Sequence, residues 1–243
     1  MKIDIITINL NNKDGLKKTM NSVINQTKFD DINYIIIDGG STDGSKELIK
    51  KNKSKLFYYE SKKDKGIYDA MNKGIKHITG DYVLFLNSGD YLIDDDVIER
   101  IIPNLDGTDI IYGNLAIANR YVTVVSSSDY KHREDRKILV DYKKGEWPIF
   151  VPSEILNKEW FYENNIPHQS SFIKKEAVKP YSTKYKIIGD NIFFYNAFFK
   201  YGNTHKHIDV TVCAFDITGI SSTKRDFANE ELNDFYKNKK GEK

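Results

Sequence analysis

Three polar clusters hold the side chains best suited to chemistry in the first part of the chain. Each follows an apolar run, and together they span residues 7–12, 38–44 and 87–90. Asp38 can accept a hydrogen bond from a base or a ribose, and the glycines after it let backbone approach a ligand closely. Asp90 stands beside small residues, where a carboxylate suits a divalent cation that bridges phosphate oxygens. An ordinary strand-to-helix turn explains the second cluster equally well.

Further candidates lie on two predicted helices and in one loop. Asp190 opens a helix rich in Phe and Tyr, where it could act as a general base or only favour the positive end of the helix. Asp69 and Asn72 are three residues apart and share one helix face, so they could together hydrogen-bond the hydroxyl groups of a ligand. The solvated face of an ordinary amphipathic helix explains that pair better. His168 and Gln169 follow a proline in a loop and need have no role at all.

The elements that must position these residues alternate between strands and helices. Apolar runs predict strands at residues 3–8, 34–37, 56–59 and 82–86. Helical spacing predicts helices at residues 16–24 and 67–78, and a third between them that follows a cap at Ser41 or Thr42. Continuous apolar strands between amphipathic helices imply a parallel sheet with both faces covered. Ligands bind beyond the carboxyl ends of such strands, so the three polar clusters are expected to converge there.

The pattern changes after about residue 94. A helix at residues 97–102 is predicted to end at Pro103, with residues 94–96 as its caps. Another helix is expected at residues 187–201. Further strands are expected at residues 109–112, 121–125 and 208–215. The second half therefore lacks the regular alternation of the first.

Two features of the second half have open interpretations. Its aromatic residues could belong to the core or touch a membrane surface, and they include Trp147, Trp160, Phe161 and Tyr162. The last lysines are typical of a solvated tail, and they are Lys237, Lys239, Lys240 and Lys243. No linker rich in Pro, Gly or Ser separates the halves, so we predict one compact domain. Residues 1–103 form its ligand-binding half, and residues 104–243 form the other half, which ends in a helix or tail.

Composition excludes several classes of protein. The chain has 243 residues with 37 basic and 35 acidic side chains, a balance that argues against a nucleic-acid binder. Cys213 is the single cysteine, so an intramolecular disulfide and a multi-cysteine zinc site are both excluded. No apolar run approaches the ~20 residues needed to cross a bilayer, and the N-terminus lacks a signal-peptide pattern. We therefore expect a soluble, cytoplasmic protein, with peripheral contact at the inner face of the membrane left open.

Missing motifs narrow the enzyme classes. The chain has no G-x-G-x-x-G fingerprint, no Walker A loop and no G-x-S-x-G elbow. These absences argue against dehydrogenases, P-loop NTPases and α/β-hydrolases. A nucleotidyltransferase on the same kind of sheet would need a basic, glycine-rich loop after the first strand. Residues 9–15 supply only Lys13, so we rank that reading last.

The clusters taken together, in this order, resemble the family 2 glycosyltransferases, which have the GT-A fold. The matching segments cover most of the chain and span residues 5–9, 34–45 (YIIIDGGSTDGS), 64–74 (DKGIYDAMNKG), 80–90 (GDYVLFLNSGD), 168–172 (HQSSF), 189–193 and 219–222 (GISS). The subgroup that builds colanic acid-like exopolysaccharide, capsule or O-antigen in bacteria is the most similar. The resemblance implies an α/β fold with a Rossmann-like, nucleotide-binding mixed sheet, flanked by helices and elaborated on the acceptor side toward the C-terminus.

The resemblance also implies a donor and the residues that bind it. The donor is a nucleotide-sugar, most often a UDP-sugar, and transfer inverts the anomeric carbon. Asp38 matches the aspartate that contacts the base, while Gly39 stands where a second aspartate is usual. The full set of implied donor-binding residues is Thr7, Asn9, Asp38, Asp64, Asp69, Asn72, Asn87, Ser88, His168 and Gln169.

The metal motif departs further from the family pattern. Residues 87–90 read Asn-Ser-Gly-Asp and keep only the last carboxylate of the usual acidic motif. The resemblance therefore implies that Asp90 binds Mn²⁺ or Mg²⁺, weakly until a diphosphate adds its own oxygens. It also implies that Asp190 is the general base, with Gly189 in place of the acidic residue that usually precedes it.

Two readings from different functional classes follow. The leading one is a hexosyl- or N-acetylhexosaminyltransferase of surface polysaccharide synthesis. Its acceptor is a saccharide or a lipid-linked saccharide, and it has no nucleic-acid partner. The alternative is a catalytically inactive nucleotide-sugar-binding protein, which the reduced metal motif favours. Sugar transfer distinguishes the two, because a binding protein would hold UDP without turnover.

Overall fold

The computed structural model describes residues 1–117, 156–161, 164–216 and 224–239. Its strands are β1 (Ile3–Asn9), β2 (Ile32–Asp38), β3 (Tyr58–Ser61), β4 (Tyr82–Phe85), β5 (Tyr91–Leu92), β6 (Ile110–Ile117), β7 (Ser171–Lys174) and β8 (His205–Phe215). Its helices are α1 (Lys13–Ile24), α2 (Ser45–Lys51), α3 (Ile67–Ile75), α4 (Val97–Ile101), α5 (Lys158–Phe161), α6 (Gly189–Phe199) and α7 (Arg225–Lys239). Within these ranges the strands form one sheet, in the order β3-β2-β1-β4-β7-β6-β8-β5.

The N-terminal half of the sheet is parallel, as the apolar strands predicted. β1 lies between β2 and β4, β3 pairs with β2 on the outer side, and all three pairs are parallel. Every residue of β1 is buried, and alternate residues enter different cores. Ile6 shares a core with Met71 of α3, while Ile5 shares a core with Leu16 of α1. Because both faces are covered by helices, the carboxyl edge of the strands is left for a ligand.

Strands from the second half make the sheet mixed. β7 pairs antiparallel with both β4 and β6, β6 runs parallel to β8, and β5 pairs antiparallel with β8. The structure is therefore the predicted mixed α/β sheet flanked by helices. The predicted boundary at residue 103 falls in a 3-10 turn, Ile102–Asn104, that leads from α4 toward β6. The functional division at this point stays a prediction.

The start of α2 differs from the prediction. Gly44, with φ of 94°, occupies its N-cap in place of either predicted hydroxyl residue. The Ser41 hydroxyl instead donates a hydrogen bond to the Asp38 carboxylate. Asp43 takes over the capping role, since its Oδ1 accepts from the Ser45 backbone N–H at 3.0 Å. A glycine fits the N-cap because φ here is positive.

α3 and α4 also differ from the predictions in detail. α3 ends at Ile75, because residues 76–78 make backbone hydrogen bonds to residues three positions earlier and so form turns of 3-10 type. Asp96 occupies the N-cap of α4 as predicted, but its side chain caps no N–H group. Asp94 and Asp96 pair with Arg100 instead, at 2.9 and 3.0 Å. These carboxylates therefore form a surface ion pair and not a hydrogen-bonded cap.

Part of the predicted C-terminal tail is helical. Lys237 and Lys239 lie in α7, and Phe235 and Tyr236 of the same helix are buried in the core. No helix in the described ranges is both long enough and apolar enough to pass through a bilayer. Several predictions fall outside those ranges, and they concern residues 121–125, Trp147, Tyr162, residues 219–222, Lys240 and Lys243.

Candidate active site

A cavity of about 750 Å³ opens where β1 and β4 end. Its lining also includes residues from the start of α3, from the 3-10 turn His168–Ser170 and from the start of α6. Eight of the predicted site residues line it, and they are Asn9, Asp64, Asn87, Ser88, Asp90, His168, Gln169 and Asp190. Parallel strands place their carboxyl ends at one edge of the sheet, so residues far apart in the chain meet there.

Asp190 lies in the first turn of α6 and accepts hydrogen bonds from three side chains. Its Oδ1 is 3.1 Å from the Tyr68 hydroxyl, and its Oδ2 is 2.9 Å from Asn165 Nδ2 and 3.3 Å from His168 Nδ1. Burial and the Asp190 charge raise the pKa of Tyr68 well above its ordinary value, so Tyr68 stays a protonated donor. The Asp190 side chain is still 20% exposed. A carboxylate that is oriented yet accessible meets the geometric need of a general base.

His168 connects Asp190 to the turn after β4. Its Nε2 lies 3.0 Å from Asn87 Nδ2, while its Nδ1 faces Asp190. An amide nitrogen only donates, so Nε2 accepts, and the ring proton lies on Nδ1, where it donates to Asp190. Asn87, His168 and Asp190 therefore form one chain of hydrogen bonds along the cavity wall.

Asp90 follows β4 in a turn that Thr19 holds in place. Thr19 Oγ1 donates to the Asp90 carbonyl at 2.6 Å, and the Asp216 backbone N–H donates to Asp90 Oδ1 at 2.8 Å. Asp90 is 3% exposed. This burial raises its pKa to about 7, against the lowering effects of the Asp216 N–H, of His168 and of Gln169. A nearby cation would favour the ionised carboxylate and relieve the cost of that burial.

A second network of hydrogen bonds joins the ends of β1, β2 and β4. Ser88 Oγ donates to Asn9 Oδ1 at 2.7 Å, and Asn9 Nδ2 donates to Asp38 Oδ1 at 2.8 Å. Asp38 is fully buried and also accepts from the Ser41 backbone N–H at 3.0 Å and from the Ser61 hydroxyl at 2.6 Å. The structure does not bring Asp38 into the cavity lining. Its hydrogen bonds hold the strand ends together, and its contact with a base stays a prediction.

We expect Asp38→Asn to destabilise the protein more at neutral pH than at acid pH. Burial alone would raise the pKa of Asp38, but hydrogen bonds from Ser41, Ser61 and Asn9 outweigh it and hold the pKa below its ordinary value of 3.8. A carboxylate with a lowered pKa stabilises the fold above the ordinary value, and that contribution is lost as the pH falls through the folded-state pKa. Urea unfolding at pH 7 should show a loss of about 1–3 kcal/mol. The loss of stability should shrink below about pH 4. An equal loss at both pH values would contradict the prediction. Asp30→Asn, a change at an exposed position, is the control.

Three further predicted donor-binding residues lie outside the cavity lining, and each is bonded to the scaffold. Thr7 Oγ1 donates to a backbone carbonyl after β4 at 2.8 Å. Asn72 exchanges two hydrogen bonds with the backbone of Tyr181, at 2.8 and 2.9 Å. Asp69 Oδ2 accepts at 3.0 Å from a backbone N–H in the loop that carries Asp64. These hydrogen bonds tie the three residues to the scaffold around the cavity, and their contact with the donor stays a prediction.

Comparison with known proteins identifies the family. Residues 4–200, most of the chain, match the model of Glycosyl transferase family 2. The chain belongs to this family. An uncharacterized glycosyltransferase of Mycobacterium tuberculosis is 30% identical over 223 residues, which cover 90% of this chain and 77% of the relative. A PGL/p-HBAD biosynthesis glycosyltransferase of Mycobacterium bovis is 24% identical over 229 residues, which cover 90% of this chain and 78% of the relative.

Solved structures show the GT-A fold that the motifs predicted. Residues 1–349 of TarS from S. aureus superpose with a TM-score of 0.66 at 19% identity. The superposition covers 89% of this chain and 60% of the TarS chain, which was also solved with UDP-GlcNAc and with UDP. The mannosyltransferase PcManGT from Pyrobaculum calidifontis, in complex with GDP-Man and Mn²⁺, superposes with a TM-score of 0.60 at 13% identity. This superposition covers 88% of this chain and 56% of the PcManGT chain. This glycosyltransferase therefore spans less than two thirds of either solved chain.

The cavity of the transferase offers an incomplete set of metal ligands. Across the described ranges no three His, Cys, Asp or Glu side chains gather into a closed metal site. Asp90 and Asp216 nevertheless line the cavity, and the side-chain oxygen of Asn87, another lining residue, is buried without a hydrogen-bond partner. Mg²⁺ and Mn²⁺ prefer oxygen ligands, and Mg²⁺ usually keeps waters and substrate phosphates in its shell. These three oxygen donors are therefore of the type that would suit a divalent ion held together with a diphosphate.

Asp64 explains why the transferase has glycine at residue 39. A Cβ atom on Gly39 would lie 2.5 Å from Asp64 Oδ2, so a side chain there would displace the carboxylate. Asp64 Oδ1 accepts from the Gly66 backbone N–H at 3.0 Å, and Asp64 lines the cavity. The loop before α3 therefore brings the Asp64 carboxylate beside Gly39, directly after β2.

Four residues of the site were not predicted from the sequence, and they are Thr19, Tyr68, Asn165 and Asp216. Asp216 had a usable signal, because it directly follows β8 as the polar clusters follow their strands. Tyr68 and Asn165 had no such signal in the sequence, since they are separated from Asp190 by 122 and 25 positions in the chain. Contacts of that kind depend on how α3 and the segment before α6 pack together.

Proposed function

We propose that this transferase moves a sugar from a nucleotide-sugar, most readily a UDP-sugar, to an acceptor hydroxyl with inversion at the anomeric carbon. One observation carries the proposal. Asp90 and Asp190 line the same cavity, and the hydrogen-bonded chain of Asn87 and His168 runs from the turn that holds Asp90 to Asp190. A transferase needs one group beside the leaving diphosphate and another beside the attacking hydroxyl. The TarS complexes with UDP-GlcNAc and UDP support the donor class.

The nucleotide would lie toward the ends of β1 and β4. Asn9, Ser88 and Asp64 line that part of the cavity and carry atoms that can bond a ribose or a base. Leu10 is 58% exposed at the same strand end and offers an apolar surface to a base. Asp90 and the neighbouring Asp216 would hold Mn²⁺ or Mg²⁺, which, when bound, would neutralise charge on the leaving diphosphate.

Asp190 would act as the general base on the acceptor hydroxyl. The hydroxyl proton passes to the Asp190 carboxylate while the acceptor oxygen bonds to C1 of the sugar. The bond from C1 to the diphosphate oxygen breaks on the opposite face, and the nucleoside diphosphate leaves. His168, Tyr68 and Asn165 donate hydrogen bonds to the Asp190 carboxylate and so hold it in place. Because these three side chains act as donors, the carboxylate is the group that takes up the proton.

We extend the proposal to the biological role. The chain would act as a hexosyl- or N-acetylhexosaminyltransferase on a saccharide or lipid-linked saccharide in the synthesis of surface polysaccharide, such as capsule or lipopolysaccharide. Support comes from the motif resemblance and from the relative named for PGL/p-HBAD biosynthesis. Nucleotide-sugars and such acceptors would meet in the cytoplasm or at the inner face of the membrane, so we propose that location for the chain.

The proposal predicts acceptor-dependent release of UDP. Purified protein with Mn²⁺ should consume one member of a panel of UDP- and GDP-sugars faster with a saccharide acceptor than without it. The product should carry the anomeric configuration opposite to that of the donor, as measured by NMR. A protein that binds UDP in calorimetry but releases none from any donor would instead be an inactive nucleotide-sugar-binding protein. Absence of UDP binding with and without Mn²⁺ would contradict the donor class.

A further inference from the structure

The C-terminal helix α7 lies beyond the residues that match the family model, yet it contacts the segment that leads into Asp190. Glu231 of α7 is buried and accepts three backbone hydrogen bonds from that segment. Its Oε1 accepts from the N–H of Lys186 at 2.7 Å, and its Oε2 accepts from the N–H groups of Ile187 and Ile188 at 2.9 and 3.3 Å. One side chain of α7 therefore binds the backbone directly before α6.

These three N–H groups lie at the N-cap of α6 and at the two residues before it. Ile188 is that N-cap, and its own side chain caps no N–H group. A buried carboxylate that accepts several N–H groups forms charge-assisted hydrogen bonds, which are shorter and stronger than neutral ones. Glu231 therefore sets the position of the backbone from which Asp190 projects two residues later.

The same segment is bonded to Asp190 through Tyr68. The Tyr68 hydroxyl lies within hydrogen-bonding distance of both the Ile187 carbonyl and Asp190 Oδ1. A Cβ atom on Gly189 would lie 2.6 Å from the Tyr68 ring, so the start of α6 packs directly against that ring. Movement of the backbone at Ile187 would therefore change the contact between Tyr68 and Asp190.

A second attachment of α7 involves Asn191, the residue directly after Asp190. The Tyr236 hydroxyl is 2.7 Å from the Phe161 carbonyl and 3.0 Å from Asn191 Oδ1. Asn191 Nδ2 in turn donates to the Asn164 carbonyl at 2.9 Å. The next residue, Asn165, donates to Asp190 Oδ2. α7 thus contacts the backbone directly before α6 and, through Asn191, the segment that supplies Asn165 to the carboxylate.

We propose that Glu231 is a positioning residue for sugar transfer, which it supports by fixing the start of α6 and with it the orientation of Asp190. The inference rests on the proposed function, in which Asp190 is the base. Glu231 does not itself line the cavity, and it bonds the lining residue Ile187 through the backbone N–H and not through the side chain. Its loss should therefore slow the chemical step and leave nucleotide binding intact.

The test compares Glu231→Gln with Glu230→Gln, a matched change at an exposed position of the same helix. We expect Glu231→Gln to lower kcat about 10–100-fold, because a displacement of about 1 Å at a catalytic group costs about that much. The Kd for UDP, from calorimetry, should stay within about twofold of wild type. Glu230→Gln should match wild type in both quantities. A wild-type kcat in Glu231→Gln, or a kcat and a UDP affinity that fall together, would overturn the inference.

A double variant tests whether Glu231 acts through Asp190. If it does, Asp190→Asn combined with Glu231→Gln should be no slower than Asp190→Asn alone, whereas independent effects would multiply and overturn the inference. Should Glu231→Gln fail to fold, Tyr236→Phe removes one hydroxyl from the second attachment and should lower kcat at unchanged UDP affinity. A wild-type kcat in that variant would overturn the inference that α7 positions Asp190. Full transfer by Asp190→Asn would instead overturn the proposed function, so the two failures are distinguishable.

Discussion

Asp190→Asn should lower the rate of sugar transfer by about 10²–10⁴-fold while UDP binds as tightly as to wild type. The carboxylate is the proton acceptor in the proposed reaction, and an amide at the same position cannot take up the proton. Asn keeps the size of the side chain, so the contacts with Tyr68 and Asn165 are perturbed less than by truncation to Ala. UDP release at saturating donor, measured beside UDP calorimetry, separates the effect on chemistry from the effect on binding.

The control for this prediction is Asp226→Asn, which removes a carboxylate from an exposed position in the first turn of α7. We expect it to transfer sugar at the wild-type rate. Transfer at the full rate by Asp190→Asn would remove Asp190 as the base. A joint loss of transfer and of UDP affinity in that variant would also contradict the prediction, because it would place Asp190 in the donor site.

Asp90→Asn should abolish the effect of Mn²⁺ on UDP binding. In wild type we expect Mn²⁺ to tighten UDP binding, because Asp90 and Asp216 would hold the ion together with the diphosphate. Loss of a supporting residue already costs about 10–100-fold in metal affinity, so loss of a ligand should cost at least as much. Calorimetry at pH 8 is the suitable measurement, because burial raises the pKa of Asp90 to about 7 and the carboxylate is ionised above that value.

Asp95→Asn is the control for this experiment, since Asp95 is an exposed carboxylate five residues after Asp90 and lies outside the cavity lining. Its UDP binding should respond to Mn²⁺ as wild type does. If the affinity of wild type for UDP does not depend on Mn²⁺, the nucleotide pocket is supported but Asp90 is not a metal ligand. A variant Asp90→Asn that still responds to Mn²⁺ would lead to the same conclusion.

The sequence by itself determined the sheet and the place of the site. The apolar runs of β1, β2 and β4 mark buried parallel strands, because a strand covered on both faces must be apolar along its length. The polar residues that end those runs, such as Asn9 and Asp90, lie at the carboxyl edge of the sheet. Both inferences depend on residues adjacent in the chain, which is why a linear pattern was enough.

Tertiary structure decided which polar side chains enter the cavity. Asp38 and Asp64 are both carboxylates near glycines, yet Asp38 is buried among four hydrogen bonds and Asp64 lines the site. The contact of His168 with Asn87 spans 81 residues, and that of Glu231 with Ile187 spans 44. A buried polar group takes whichever partner lies close enough in space to satisfy it. Neighbours along the chain do not specify that partner, so only the packed fold could assign these roles.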